Sequence, residues 1–118
     1  MSFYWFDNNT GIHTVDYSGK INYEEGINRM EQLKEYFKVN TPIGSPIRVL
    51  FDVRKTVWEN VQTHNELSKI ARKIFNSDKL QFRIYTAVLN NQYNNQSFDI
   101  ECWFTNNEVA VLWLKKQI

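Results

Sequence analysis

The alternation of apolar and polar positions divides the chain into short strands and amphipathic helices. Phe3 to Phe6 and Ile12 to Tyr17 are β-prone runs flanking Asp7-Asn8-Asn9-Thr10-Gly11. Asn, Asp and Gly tolerate the left-handed backbone of a tight turn, so the two runs read as a hairpin. In the second run His13, Val15 and Tyr17 share one face and Ile12, Thr14 and Asp16 the other, and Ser18-Gly19 is expected to end it. Asn22-Tyr23-Glu24-Glu25 then has the spacing of a capping box that opens a helix. Tyr23, Ile27, Met30, Leu33 and Phe37 follow at helical steps as one stripe, with Gly26 weakening the first turn. The segment 40–46 holds both prolines and reads as a loop.

The stretch Pro46 to Lys55 is a nearly continuous apolar run that ends in one acid and two bases, Asp52, Arg54 and Lys55. Such a run fits a strand buried on both faces whose polar end emerges at the edge of a sheet. In open α/β sheets ligands and partners meet the carboxyl ends of the strands, which makes Asp52 to Trp58 the expected seat of function. Thr56 to Gln62 reads as a loop carrying Trp58. Thr63-His64-Asn65-Glu66 is a second capping box, opening a helix to about Phe75 that buries Leu67, Ile70, Ala71, Ile74 and Phe75. Asn76-Ser77-Asp78 closes it.

Arg83 to Leu89 is a further strand, and Asn90 to Ser97 is polar and reads as a loop or turn. Phe98 to Phe104 alternates as a last strand. Thr105-Asn106-Asn107-Glu108 is a third capping box, before a helix whose apolar face takes Val109, Leu112 and Trp113 with Ala110 and Leu114. The order is ββαβαββα, a single α/β domain over residues 1–118 with a mixed four- to five-stranded sheet and three helices packed against it.

Composition narrows the function classes. The 118 residues are 42% hydrophobic, enough for a core without disulfides or metals. A formal net charge of +1 argues against nucleic acid or an anionic membrane as an obligatory partner. Aromatics reach 15%, so they must fill a core or an interface. The single cysteine, Cys102, rules out an internal disulfide and the multi-cysteine zinc patterns, and its alternation with Phe98, Ile100 and Phe104 makes it a buried, inert thiol. The first residues lack a signal peptide's basic and apolar regions, and no window has the length of a membrane span. A cytoplasmic protein without a cofactor is the expectation.

Three pieces in this order resemble the STAS superfamily, in its anti-sigma factor antagonist (SpoIIAA-like) branch. They are Val15-Asp16-Tyr17-Ser18-Gly19-Lys20-Ile21-Asn22 before an amphipathic helix, Val49-Leu50-Phe51-Asp52, and Phe104-Thr105-Asn106-Asn107-Glu108-Val109-Ala110-Val111-Leu112-Trp113-Leu114. The resemblance implies a small regulatory or interaction module. In bacterial members of the superfamily a Ser or Thr after the Asp-bearing strand is phosphorylated to switch partner binding. This chain departs from that pattern, because Val53-Arg54-Lys55-Thr56 follows Asp52 and only Thr56 and Thr63 offer hydroxyls nearby. A second departure is the short Asn/Gln loop where the branch commonly has a helical crossover. Parallel neighbours usually need a dozen residues or more to connect, so the last two strands are expected either to pair as a hairpin or to sit otherwise than in the family.

The candidate binding residues are Asp52, Lys55, Thr56, Trp58 and Thr63. Asp52 reads either as a contact or as an acid paired with Arg54 or Lys55. Thr63 reads as a helix cap or as a phosphoacceptor at a helix N-terminus. Trp58 either folds back over the core or marks a contact patch. His13 lies on a strand face, His64 decorates a helix start, and the two are too far apart in sequence for a helical or loop metal pair. Lys69, Arg72, Lys73 and Lys79 form either an anion-binding face or a solvated one. No nucleophile elbow, HExxH, P-loop or GxGxxG is present. The reading is therefore a non-enzymatic module that binds a protein partner or itself through the loop and helix after the central strand. The alternative is a carrier or sensor of a small apolar or amphipathic ligand, with Trp5, Tyr85 and Trp103 lining a pocket.

Overall fold

The structure, a computed structural model, describes residues 2–41, 46–75, 84–91, 96–98 and 101–117. The Pro42 loop, Asn76-Ser77-Asp78, Lys79, Arg83, Asp99 and Ile100 lie outside them, as do the side chains of 71–75 and Phe98. The elements are β1 (Ser2–Asp7), β2 (Ile12–Ile21), α1 (Tyr23–Asn40), β3 (Ile47–Trp58), α2 (Val61–Phe75), β4 (Ile84–Leu89), β5 (Gln96–Phe98), β6 (Glu101–Phe104) and α3 (Asn107–Lys115). They form one mixed sheet in the order β1-β2-β3-β4-β6-β5, so the α/β class and its three helices stand as expected.

The opening hairpin follows from its turn chemistry. Asp7 pairs with Ile12. Gly11 takes φ +71 and donates its N–H to the Asp7 carbonyl at 2.8 Å. Asp7 Oδ1 accepts from Asn9 N at 2.9 Å inside the turn. β2, β3, β4 and β6 are then mutually parallel, with antiparallel β1 and β5 at the two edges.

Alternation sends successive side chains of each strand to opposite faces, and both faces are covered. Val15, Ile47, Val49 and Ile84 meet Leu33 and Phe37 of α1 on one side. Ile12, Leu50, Ala87, Leu89, Cys102 and Phe104 meet Ala110 and Leu114 of α3 on the other. α1 is capped as its sequence implies. Asn22 Oδ1 accepts from Glu25 N at 2.9 Å, and Asn22 Nδ2 donates to Glu25 Oε1 at 3.1 Å. Its stripe holds at Leu33 and Phe37, while Tyr23 stays exposed.

The last strands differ from a single run over Phe98 to Phe104. Phe98 pairs antiparallel with Glu101, so the chain reverses between them. β6 then inserts between β4 and β5, with Leu89 opposite Phe104 in parallel register. With β5 running antiparallel at the edge, β4 and β6 become parallel neighbours although few residues separate them.

Helix starts also move. Asn60, not Thr63, caps α2, accepting from Thr63 N at 2.7 Å through Oδ1 and from His64 N at 3.2 Å through its carbonyl. Asn106, not Thr105, caps α3 through Val109 N at 3.1 Å. On α3 the buried side is Ala110 and Leu114 with Val111 and Trp113 against the core, whereas Val109 and Leu112 face outward.

Candidate functional site

β2 and β3 both run further than their apolar cores suggest. β3 leaves β4 after Asp52↔Leu89 and continues to Trp58, making a strand of what reads as the start of a loop. β2 follows it past a bulge between Asp16 and Ser18, pairing Ser18↔Lys55 through Ile21↔Trp58. Just past the bulge Gly19, opposite Thr56, adopts φ +103, a backbone conformation that L side chains rarely take. The Thr56 hydroxyl donates to the Tyr17 carbonyl at 2.8 Å, satisfying a group that the bulge takes out of register.

Because β4 stops while β3 continues, a recess of about 670 Å³ opens at the carboxyl end of the sheet. Its walls are the end of β3 (Val53, Arg54, Thr56, Val57, Trp58), the first turns of α2 (Val61, His64, Asn65), Asn60, the Asn90-Asn91 turn, and Trp103 of β6. This is the sheet end at which open α/β folds bind ligands.

The aromatic part of the wall is a cluster of three rings. Trp58 lies 4.6 Å from His64, centroid to centroid, at 63°, and His64 lies 6.2 Å from Trp103 at 85°. Edge-on packing suits the ring quadrupoles and presents the half-buried indoles to the recess from two sides.

The carboxamides of Asn60, Asn90 and Asn91 are each bonded to backbone. Asn60 Oδ1 holds the Thr63 N–H, Asn91 Nδ2 donates to the Arg54 carbonyl at 2.9 Å, and Asn90 Nδ2 donates to the Phe104 carbonyl at 3.0 Å. The one guanidinium of the wall, Arg54, is held by Asp52 through Nε–Oδ1 at 3.0 Å and Nη2–Oδ2 at 2.8 Å. Burial pushes the Asp52 carboxyl up. Hydrogen bonds from the Arg54 side chain and backbone, with the positive charges of Arg54 and Lys55, outweigh it and hold the group below the usual carboxylate range.

Of the five residues expected at the site, Thr56 and Trp58 line the recess. Asp52 stands behind it, paired with Arg54, and Lys55 is exposed outside the lining. Thr63 is buried in the first turn of α2 with its N–H capped, and the Thr56 hydroxyl is engaged with Tyr17. Of the three aromatics expected in a pocket, Trp103 lines the recess. Tyr85 packs against the α3 side of the core and Trp5 is half-exposed on β1.

Sequence reasoning missed Asn60, His64, Asn65, Asn90 and Asn91. In the sequence Asn65 stands inside a capping box, Asn90 and Asn91 in a polar loop or turn, and Asn60 in the loop from Thr56 to Gln62, and of these Asn60 is the one that caps a helix. Among the described residues no group of three or more His, Cys, Asp or Glu converges to hold a metal, and no helix is long and apolar enough to cross a membrane. Among its described residues the wall offers stacking surfaces, carboxamides and the Asp52-paired Arg54 guanidinium, and no carboxylate. No family model and no curated protein matches this sequence.

Proposed function

We propose that this chain is a small non-enzymatic module of the STAS-like, anti-sigma factor antagonist-like kind. It engages a protein partner, or a second copy of itself, through the end of β3 and the first turn of α2. The observation that carries this reading is the apolar rim of the recess, where Val57 is 57% and Val61 75% exposed beside half-buried Trp58. Exposed apolar side chains gathered round a concave aromatic centre are the usual make-up of an interaction surface. Light scattering and pull-downs with Trp58→Ala, Val61→Asp and Lys55→Ala test it. Association weakened by the first two supports the surface, and association unchanged in all three removes it.

The volume of the recess favours a second reading, in which it takes a small amphipathic ligand. Small-molecule sites span roughly 300 to 1,000 Å³ and combine aromatic walls with a few placed polar groups, as this recess does. Native mass spectrometry of protein purified from its own cells is expected to show retained mass that Trp103→Leu abolishes. Repeated absence of retained mass counts against it.

A further inference from the structure

The chemistry of the recess wall selects among ligands, and the inference drawn from it rests on the small-ligand reading above. Among the described residues of the wall, the ionisable side chains are His64 and Arg54, and the Asp52 carboxylate already compensates the Arg54 guanidinium through two hydrogen bonds. A charged ligand entering here would lose hydration without meeting a counter-charge, which is costly. A wholly apolar ligand would cover Asn60, Asn65 and Asn91 and leave carboxamide groups facing apolar surface, at a cost of its own.

What the wall does offer is held in place. The Trp58 and Trp103 indoles stand on either side of His64. Asn60 is tied to α2 through Oδ1, so its Nδ2 donor is turned away from the helix. Asn91 is tied to β3 through Nδ2, so its Oδ1 acceptor is turned away from the strand. One donor and one acceptor are thus fixed by backbone partners before any ligand arrives, which lowers the ordering cost of binding. Asn65, exposed on the next turn of α2, adds a third carboxamide.

We propose that the recess binds an uncharged ring with hydrogen-bonding edges, stacked on the Trp58 or Trp103 indole and read by the carboxamides of Asn60, Asn65 and Asn91. A nucleoside and a neutral saccharide share this chemistry, and both fit a recess of about 670 Å³.

The test uses the full chain, following tryptophan fluorescence and saturation-transfer NMR. The probes are adenosine and glucose, their charged counterparts adenosine monophosphate and glucuronate, and 1-octanol as the apolar control. A neutral probe is expected to bind saturably and at least roughly tenfold more tightly than its charged counterpart, a difference of about 1.4 kcal/mol. That binding weakens by a similar factor in Trp103→Leu and in Asn65→Ala, the latter an exposed position whose change leaves the fold intact by circular dichroism. Binding by nucleosides alone or by saccharides alone identifies the source, and either supports the proposal. Charged probes that bind as well as neutral ones, or binding of 1-octanol alone, overturn the ligand class while leaving the recess a ligand site. No binding by any probe at millimolar concentration overturns both.

Discussion

The fully buried His13 makes the fold acid-sensitive by an amount that can be worked out. Its ring sits among Phe6, Phe37 and Tyr4, with centroids 4.5, 5.1 and 5.9 Å away. Tyr4 OH lies 2.7 Å from Nδ1 and Thr41 Oγ1 lies 2.6 Å from Nε2. Asn40 Nδ2 donates to Tyr4 OH at 3.2 Å, so the phenol can pass its own proton toward Nδ1 while Nε2–H donates to Thr41. A neutral imidazole satisfies every member of this chain, and no acid lies among these partners to stabilise an imidazolium.

Burial accordingly lowers the His13 pKa from 6.5 to about 4. The unfolded imidazole takes up a proton near pH 6.5 that the folded one refuses until about pH 4. Stability is therefore fully present above 6.5 and falls as pH drops through that window. The whole shift corresponds to roughly 3 kcal/mol, of which about 2 kcal/mol is lost by pH 5. Urea unfolding at pH 7 and pH 5 measures it, with His13→Gln as the reference because other titrating groups are common to both proteins. The wild type should lose about 2 kcal/mol more than the variant. Equal losses, or an NMR titration of His13 centred near pH 6.5, would refute the reasoning.

Substitutions at Gly26, Asn60, Leu112 and Leu114 probe further places where local rules and packing decide the outcome. At Gly26 an added Cβ would lie 2.6 and 2.7 Å from the two terminal methyls of fully buried Leu67. Gly26→Ala should therefore lower the melting temperature, since overpacking of about 1–3 kcal/mol exceeds the roughly 1 kcal/mol gain in helix propensity; in a Leu67→Ala background the same change should stabilise. Asn60→Ala should cost about 1 kcal/mol in denaturant unfolding and Asn60→Gly only a few tenths, the pattern of an N-cap. Leu112→Gln should be neutral within about 0.5 kcal/mol, whereas Leu114→Ala should cost about 2–5 kcal/mol, because Leu112 is 57% exposed and Leu114 fully buried.

Local chemistry was legible wherever a residue's role depends on its sequence neighbours. The Asp7–Gly11 turn, the Asn22 cap, and the apolar cores of β2, β3 and β4 belong to that class. What escaped reading depends on distant partners. β3 continues through Arg54-Lys55-Thr56 because β2 pairs with it there, and nothing in that tripeptide announces a strand. The alternation over Phe98 to Phe104 persists although the chain reverses inside it, since period two marks faces and not direction. On α3, Val109 and Leu112 were as apolar as Ala110 and Leu114, and only the position of the sheet decides which pair is buried. The recess gathers Trp58, His64, Asn90 and Trp103 from four elements or turns, so no window of sequence contains it.

The recess also depends on a residue that does not touch it. β3 beyond Asp52 has lost β4, and its remaining strand partner among the described residues is the Ser18–Ile21 end of β2. That pairing is carried past the bulge by Gly19 at φ +103 and closed by Glu59 N donating to the Ile21 carbonyl at 3.2 Å. An alanine at Gly19 would hold its backbone in a region costing roughly 1–3 kcal/mol, and the chain can relieve that strain by releasing Ser18–Ile21 from Lys55–Trp58. The cost should then fall on this ribbon and not on the buried core of β3. Hydrogen exchange resolves the two: in Gly19→Ala the amides of Lys55 to Trp58 should lose protection well ahead of those of Ile47 to Leu50, and Trp58 emission should shift toward that of a solvated indole. Uniform loss along β3 would mean that the ribbon is not held separately, and that the recess wall is as rigid as the sheet behind it.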